Sequence, residues 1–119
     1  MRVLLVDDEK ELVTTLAERL ALRGIEADWV TSGEEALELA GDKSYDIAVL
    51  DVKIPKLSGF KLKKKLEDQC PGMKFIFMTG HGSEEDYLAG LAEAGAEYYL
   101  MKPVRIDTLI SKMNEVLKT

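Results

Sequence analysis

Six polar residues in four parts of the chain have side chains suited to holding a metal ion or a phosphate. Each ends or directly follows a short apolar segment: Asp7, Asp8, Glu9, Asp51, Thr79 and Lys102. Carboxylates at close range repel one another, by roughly 4 kcal/mol for a pair ~4 Å apart at an effective dielectric constant of about 20. An acidic cluster that stays ionised therefore needs a cation, and hard oxygen ligands of this kind suit Mg²⁺.

Lys102 brings a second positive charge to this group of residues. Its ammonium can pair with one of the acids or with a phosphoryl oxygen. Pro103 follows at once and restricts the backbone that aims the lysine, and the Lys102–Pro103 bond is of the type that can adopt the cis form. The sequence thus combines acids, a hydroxyl and an ammonium, which is a set suited to phosphate chemistry.

Alternating apolar segments predict the elements that must bring these residues together. Short β-branched or aromatic runs predict strands at 2–6, 25–30, 45–52, 73–80 and 96–101, whereas helical periodicity predicts helices at 10–24, 32–41, 59–68, 83–95 and 105–118. Ser32 is the predicted cap of the second helix, and Gly24 and Gly41 are the predicted stops of the first two. Strict alternation predicts right-handed crossovers and a parallel sheet covered by helices on both faces.

Five strands in one domain most simply take the order 2-1-3-4-5, so the predicted fold is a flavodoxin-like (βα)5 three-layer α/β sandwich. Ligands of such sheets bind beyond the carboxyl ends of the strands, where the strand order reverses. That point lies between the first strand, which leads into Asp7, and the third, which ends at Asp51. We therefore expect the acids to converge there, with Thr79 and Lys102 at the next two strand ends.

A simpler interpretation exists for acids at strand ends, because such residues often cap the following helix. Asp8 or Glu9 could do only that. Capping does not account for Asp51, Thr79 and Lys102 at three further strand ends, so the conjunction favours a site.

The segments "LLVDDE", "DIAVLDVKIPKLSG", "FIFMTGHG" and "GAEYYLMKP" together resemble the receiver domain of two-component response regulators, from end to end of residues 1–119. The resemblance implies a regulatory phosphoacceptor rather than an enzyme. In it Asp51 would accept a phosphoryl group, with Thr79 and Lys102 binding the phosphoryl oxygens. Asp7, Asp8, Asp51 and the backbone carbonyl of Lys53 would hold Mg²⁺.

The same resemblance implies a route from phosphate to signal. Tyr99, three residues before Lys102, would be the switch residue, next to the fixed turn at Pro103. The altered surface would comprise the fourth predicted helix, the fifth strand and the fifth helix. That face would meet an output domain, a downstream protein or a second copy in a homodimer, and the phosphoryl donor would be a sensor histidine kinase or a histidine phosphotransfer protein of a phosphorelay.

The composition of the chain indicates what the protein binds and where it is located. The 119 residues carry a formal charge of −6, which argues against direct nucleic-acid binding by this domain. No segment has the length of a membrane span and no signal peptide is visible, so the expected location is cytoplasmic. The single cysteine, Cys70, excludes an internal disulfide and a cysteine-rich metal site. Whether the chain is a stand-alone regulator or part of a longer protein is left open.

Several alternatives remain at this point. A haloacid-dehalogenase-type aspartate phosphatase would carry an acid where this chain has Lys53, and a flavin-binding module would need a phosphate loop where this chain has "DDEKE". A receiver-fold interaction module that is never phosphorylated is the third. Lys53, His81 and the run of six lysines between Lys53 and Lys65 could each have a role at the site or simply be solvated.

Overall fold

The computed structural model describes residues 1–80 and 99–118. The predicted helix at 83–95, the strand residues 96–98 and His81 lie outside the described residues. The described elements, in chain order, are β1 (Arg2–Val6), α1 (Lys10–Leu22), β2 (Glu26–Val30), α2 (Gly33–Asp42), β3 (Ile47–Asp51), α3 (Gly59–Gln69), β4 (Lys74–Thr79), β5 (Tyr99–Met101) and α4 (Ile106–Leu117). Here α4 is the fifth helix of the predicted pattern.

The five strands form one parallel sheet in the order β2-β1-β3-β4-β5, as predicted. The central strands are buried on both faces and consist of continuous apolar residues, which is typical of a parallel sheet covered by helices. β2 has mixed polarity and lies at an edge, also as predicted. Because all strands run the same way, their carboxyl ends share one edge of the sheet.

Two apolar clusters, one on each face of the sheet, hold the three layers together. Leu4 and Val6 of β1 pack in the cluster of α2 and α3, whereas Val3 and Leu5 pack in the cluster of α1 and α4. This alternation follows from the two-residue period of a strand. Phe77, the largest fully buried side chain of the described residues, meets Phe60 of α3 edge-on, with ring centroids 4.8 Å apart.

Most helix ends follow the predicted chemistry, with one exception. The Ser32 hydroxyl accepts a hydrogen bond from the Glu35 N–H at 3.2 Å, which confirms the predicted cap of α2. Gly24 follows α1 with a φ of +76°, a conformation that glycine adopts without strain. Gly41, however, is not a stop, because α2 continues to Asp42. Within the described residues, no helix combines the length and apolar character needed to cross a membrane.

A hydrogen bond at the amino edge of the sheet gives a test of local stability. The Tyr45 hydroxyl donates to Asp28 Oδ2 at 2.6 Å, and Lys43 Nζ lies 3.3 Å from the same oxygen. The bond from Tyr45, with the Lys43 charge, holds the pKa of Asp28 below its usual value. A lowered carboxyl pKa contributes stability above the usual value of 3.8, and that contribution is lost as the pH falls further.

Tyr45→Phe is therefore expected to lower the free energy of unfolding by about 1 kcal/mol at neutral pH, since Asp28 is partly exposed. The loss should shrink as the pH falls below 3.8, so it should be smaller at about pH 3 than at neutral pH. Urea unfolding at both pH values measures it, with Tyr45→Phe made again on an Asp28→Asn background as control. An equal loss in both backgrounds would show that the charged hydrogen bond is not the cause.

Candidate functional site

The site is built on the two central strands, whose carboxyl ends carry the first acids. The Asp7 N–H donates to the Val30 carbonyl of β2 at 3.3 Å, and the Val52 N–H donates to the Met78 carbonyl of β4 at 2.9 Å. Sheet-type hydrogen bonds thus continue just past the ends of β1 and β3. They fix the backbone at Asp7 and beside Asp51, so both carboxylates start from rigid positions.

Asp7 and Asp51 are buried acids whose carboxylates face a common point. Asp7 is fully buried and Asp51 is 5% exposed. Burial, followed by the negative charge of Asp7, raises the pKa of Asp51 to about 6, against the opposing effect of Lys102. Burial likewise raises the pKa of Asp7, against the Lys102 ammonium and the Glu9 N–H. These carboxylates are costly to ionise without further positive charge.

Lys102 supplies positive charge from the end of β5. Its N–H donates to the Thr79 carbonyl at 2.7 Å, its side chain runs past Gly80, and its bond to Pro103 is cis. The ammonium lies 2.7 Å from Asp7 Oδ2, 2.9 Å from Glu9 Oε1 and 3.4 Å from Asp51 Oδ2. Burial alone would lower the pKa of Lys102, but these three carboxylates raise it above its usual range. The lysine therefore stays charged.

Two buried oxygens at the site have no hydrogen-bond partner among the described residues: Asp7 Oδ2 and Thr79 Oγ1. Asp7 Oδ2 nevertheless forms an ion pair with Lys102, whose Nζ lies 2.7 Å away. A buried hydroxyl or carboxylate oxygen without a hydrogen bond is costly in a folded protein. The Thr79 hydroxyl is thus available to a bound group, whereas Asp7 Oδ2 already pairs with Lys102.

Carboxylate oxygens of Asp7, Asp8 and Asp51 lie within 4.8 Å of one another, close enough to share one metal ion. Asp8 is exposed, whereas the other two are buried. The structure therefore brings all three predicted acidic ligands together, and their hard oxygen donors suit a divalent cation such as Mg²⁺.

The other residues predicted for the site differ in how near they lie to the acidic cluster of Asp7, Asp8 and Asp51. The Lys53 N–H donates to Asp51 Oδ1 at 3.3 Å, so its backbone adjoins the acid, while its side chain is exposed. Tyr99 is buried in the cluster of α2 and α3 and pairs with Phe77 across the sheet. Pro103 is exposed. His81 lies outside the described residues.

Glu9 has a position that sequence reasoning missed. It is the N-cap residue of α1, yet its side chain makes no capping hydrogen bond. Its N–H donates to Asp7 Oδ1 at 2.9 Å, and its carboxylate contacts Lys102 instead. Glu9 therefore occupies the N-cap position, but its side chain pairs with Lys102 instead of capping the helix. No local pattern could have revealed a contact between residues 93 positions apart.

Gly59 is the second residue whose importance the structure reveals. As the first residue of α3 it lies against the end of β3, and its N–H donates to the Val52 carbonyl at 2.9 Å. A Cβ atom at this position would clash with the backbone carbonyl of Asp51. The glycine in "DVKIPKLSG" thus permits the close approach of helix and strand beside the acid.

Gly59→Ala is therefore expected to lower the free energy of unfolding by about 1 to 3 kcal/mol, because backbone atoms on both sides must shift. Gly41→Ala is the matched control, since an added Cβ there meets only the end of the Gln69 side chain. Within a helix that control should be neutral or gain about 0.5 to 1 kcal/mol. Urea unfolding of the two variants measures the difference, and equal stabilities would contradict the packing argument.

Comparison with known proteins agrees with this geometry. The family described as response regulator receiver domain matches residues 3–114. The transcriptional regulatory protein CpxR of Escherichia coli K12 is 38% identical over 98% of the chain and 49% of its own length. A CheY-like receiver domain structure from Methanospirillum hungatei is 33% identical over 98% of this chain and 93% of its own, with a TM-score of 0.86.

A third similar protein, a response regulator from Burkholderia pseudomallei, was solved with a phosphorylated aspartic acid and a calcium ion. It is 26% identical over 99% of this chain and 74% of its own, with a TM-score of 0.80. The chain spans about half the length of the curated relatives it matches.

The fold, the acidic edge and these matches define a class of regulatory signalling domains. The chain belongs to the response regulator receiver domain family of two-component signal transduction. Nothing in the comparisons favours the phosphatase or the flavin-binding module.

Proposed function

We propose that Asp51 is the phosphoacceptor and that residues 1–119 act as the receiver of a two-component system. The observation that carries this proposal is the position of the buried Asp51 carboxylate between a fixed ammonium and a second buried acid. Together with the Thr79 hydroxyl, which has no hydrogen-bond partner among residues 1–80 and 99–118, this arrangement supplies the charge and donors that a phosphoryl group needs.

In the proposed reaction, an Asp51 carboxylate oxygen attacks the phosphorus of a phosphohistidine on a sensor histidine kinase or phosphotransfer protein. An O–P bond forms, the N–P bond breaks, and the histidine nitrogen leaves with the electron pair. With a pKa of about 6, most Asp51 is ionised and nucleophilic at neutral pH. The Lys102 ammonium pairs with one phosphoryl oxygen and the Thr79 hydroxyl donates to another. Water later hydrolyses the acyl phosphate and restores the carboxylate.

We further propose that the acidic cluster holds Mg²⁺. Asp7, Asp8 and Asp51, whose carboxylate oxygens lie within 4.8 Å of one another, would be the side-chain ligands, and the Lys53 carbonyl would complete the protein ligands. When bound, the ion neutralises charge on the phosphoryl group and on the acids. The calcium ion beside a phosphorylated aspartic acid in the Burkholderia relative supports a divalent cation in this class of site.

Phosphorylation would be signalled through Tyr99 and the turn at Pro103. The added charge and acceptor oxygens would draw Thr79 toward the phosphoryl group, and Tyr99 would follow by changing rotamer. The surface so altered would be the predicted helix at 83–95 with β5 and α4. It would contact an output domain, a downstream protein or a second copy of the chain.

Incubation with acetyl phosphate and Mg²⁺, followed by intact mass measurement, tests the proposal. Wild type should gain the mass of one phosphoryl group, and chelation of the metal should abolish the gain. Asp51→Asn should gain nothing, whereas Asp68→Asn, which changes an exposed acid of α3, should behave as wild type. A modified Asp51→Asn variant, or an unmodified wild type, would overturn the proposal. Sustained turnover of p-nitrophenyl phosphate would instead favour a phosphatase.

A further inference from the structure

The Lys102 ammonium divides its contacts among three carboxylates that differ in how firmly they are held. Its nitrogen is 2.9 Å from Glu9 Oε1 but 3.4 Å from Asp51 Oδ2. An ammonium has three N–H donors. In this state Glu9 therefore takes a closer share of the lysine than the acid that would carry the phosphoryl group.

We propose that Glu9 is a positioning residue that retains the Lys102 ammonium in the unphosphorylated protein and releases it to the phosphoryl group. The proposal rests on the phosphorylation of Asp51 proposed above. Under this proposal Glu9 slows the phosphorylation of Asp51, because the Glu9–Lys102 ion pair must break before Lys102 can bind the phosphoryl group.

The surroundings of each partner indicate which contact gives way. The Asp7 side chain is fully buried and is fixed through Oδ1 by the Glu9 N–H, so Asp7 has nowhere to retreat. The Glu9 side chain is 64% exposed, and its carboxylate can return to water at little cost. Glu9 is thus the partner that yields when a phosphoryl oxygen needs the ammonium.

The hydrogen bonds that hold this part of the structure use the backbone of Glu9 and not its side chain. The N-cap geometry of α1 uses no Glu9 side-chain hydrogen bond, and the bond to Asp7 Oδ1 uses only the backbone. A change of the Glu9 side chain should therefore leave the helix end and Asp7 in place. It should alter only the distribution of Lys102 among its acceptors.

Three variants separate the ion pair from simple charge repulsion. Glu9→Gln removes both the charge and the strong pair. Glu9→Asp keeps the charge but shortens the side chain by one methylene group, which draws the carboxylate back from Lys102. Glu11→Gln removes a charge from an exposed acid in the first turn of the same helix, for which no contact with Lys102 is seen.

Two quantities are measured for wild type and each variant. The first is the rate of phosphorylation by acetyl phosphate in the presence of Mg²⁺. The second is the ¹⁵N resonance of the Lys102 ammonium in the absence of acetyl phosphate. Both Glu9 variants should be labelled about two to five times faster than wild type, the range expected for losing one exposed pair, and should shift the Lys102 resonance. Glu11→Gln should do neither.

Three results would overturn the positioning role. They are an unchanged rate in Glu9→Gln, a wild-type rate in Glu9→Asp, which would assign the effect to charge alone, and an unshifted Lys102 resonance. A wild type that takes up no phosphoryl group at all would remove the proposed function, and the positioning role with it. A labelled wild type with unchanged Glu9 variants would remove the positioning role only.

Discussion

Asp51→Asn is expected to raise the free energy of unfolding by about 2 to 3 kcal/mol at about pH 8 in the absence of divalent ions. The physical reason is the cost of an ionised carboxylate that is buried beside Asp7, seen in the raised pKa of about 6. Asparagine keeps the size and removes the charge. Lys102 still contacts Asp7 and Glu9 in this variant, so no cation is left unpaired.

The pH dependence follows from the direction of the pKa shift. A carboxyl whose pKa is higher in the folded than in the unfolded protein favours folding while it is protonated. Its cost is absent below the usual value of 3.8, grows as the pH rises, and is complete above about 6. The advantage of Asp51→Asn should therefore be small at about pH 4 and full at about pH 8.

Magnesium should reverse the order of stability. An ion that binds only the folded protein stabilises it according to its concentration and affinity, and Asp51→Asn lacks one of the proposed ligands. Urea unfolding with chelator and with excess Mg²⁺ measures both effects, and Asp68→Asn is the control for loss of a surface acid. A variant less stable than wild type at about pH 8 with chelator would show that Asp51 contributes stability as a charge.

Lys102→Met, in contrast, is expected to lower the free energy of unfolding, by about 3 to 5 kcal/mol at about pH 8 without divalent ions. Methionine keeps much of the length of the side chain beside Gly80 but removes the ammonium. Two buried carboxylates, Asp7 and Asp51, then face each other without the cation that the structure supplies. The pKa of Asp51 should rise further, because the lysine is what opposes burial and the charge of Asp7.

The loss should be recovered on acidification, since protonation removes the unpaired charges. It should also be smaller in the double variant Asp51→Asn/Lys102→Met, which retains only one of the two buried acids. The variant should take up little or no phosphoryl group from acetyl phosphate, because the proposed partner of the phosphoryl oxygen is missing. Unfolding as a function of pH and intact mass measure the two effects.

Lys64→Met is the matched control for this variant, since Lys64 is exposed on α3. It should unfold and react as wild type. A loss of stability in Lys102→Met that persists unchanged at about pH 4 would point to packing rather than charge as the cause.

Much of the fold and of the acidic site could be predicted from local pattern. Buried parallel strands are continuous apolar runs and their helices are amphipathic, so the order of elements and the parallel sheet followed from residue types. Once the strand order was predicted, Asp7 and Asp51 had to be neighbours, because adjacent strand ends share an edge. The convergence of Asp7, Asp8 and Asp51, with Lys102 close by, therefore agreed with expectation.

Three features lay beyond the reach of local pattern. Gly41 resembled a helix stop, but α2 continues one residue past it to Asp42, because the weak helix propensity of one glycine does not by itself end a helix. Gly59 looked like part of a motif, and only the approach of α3 to the carbonyl of Asp51 explains it. Glu9 resembled a helix cap, and only the folded chain brings Lys102 within 2.9 Å of its carboxylate.

The sequence by itself determined which side chains reach the carboxyl edge of the sheet, because hydrophobic period and strand order are encoded in consecutive residues. The tertiary structure alone decided how the Lys102 ammonium is divided among three acids and that the buried Thr79 hydroxyl has no hydrogen-bond partner within the described part of the chain. Those outcomes depend on differences of less than 1 Å among contacts between residues far apart in the chain, and such differences are set by the packing of whole layers.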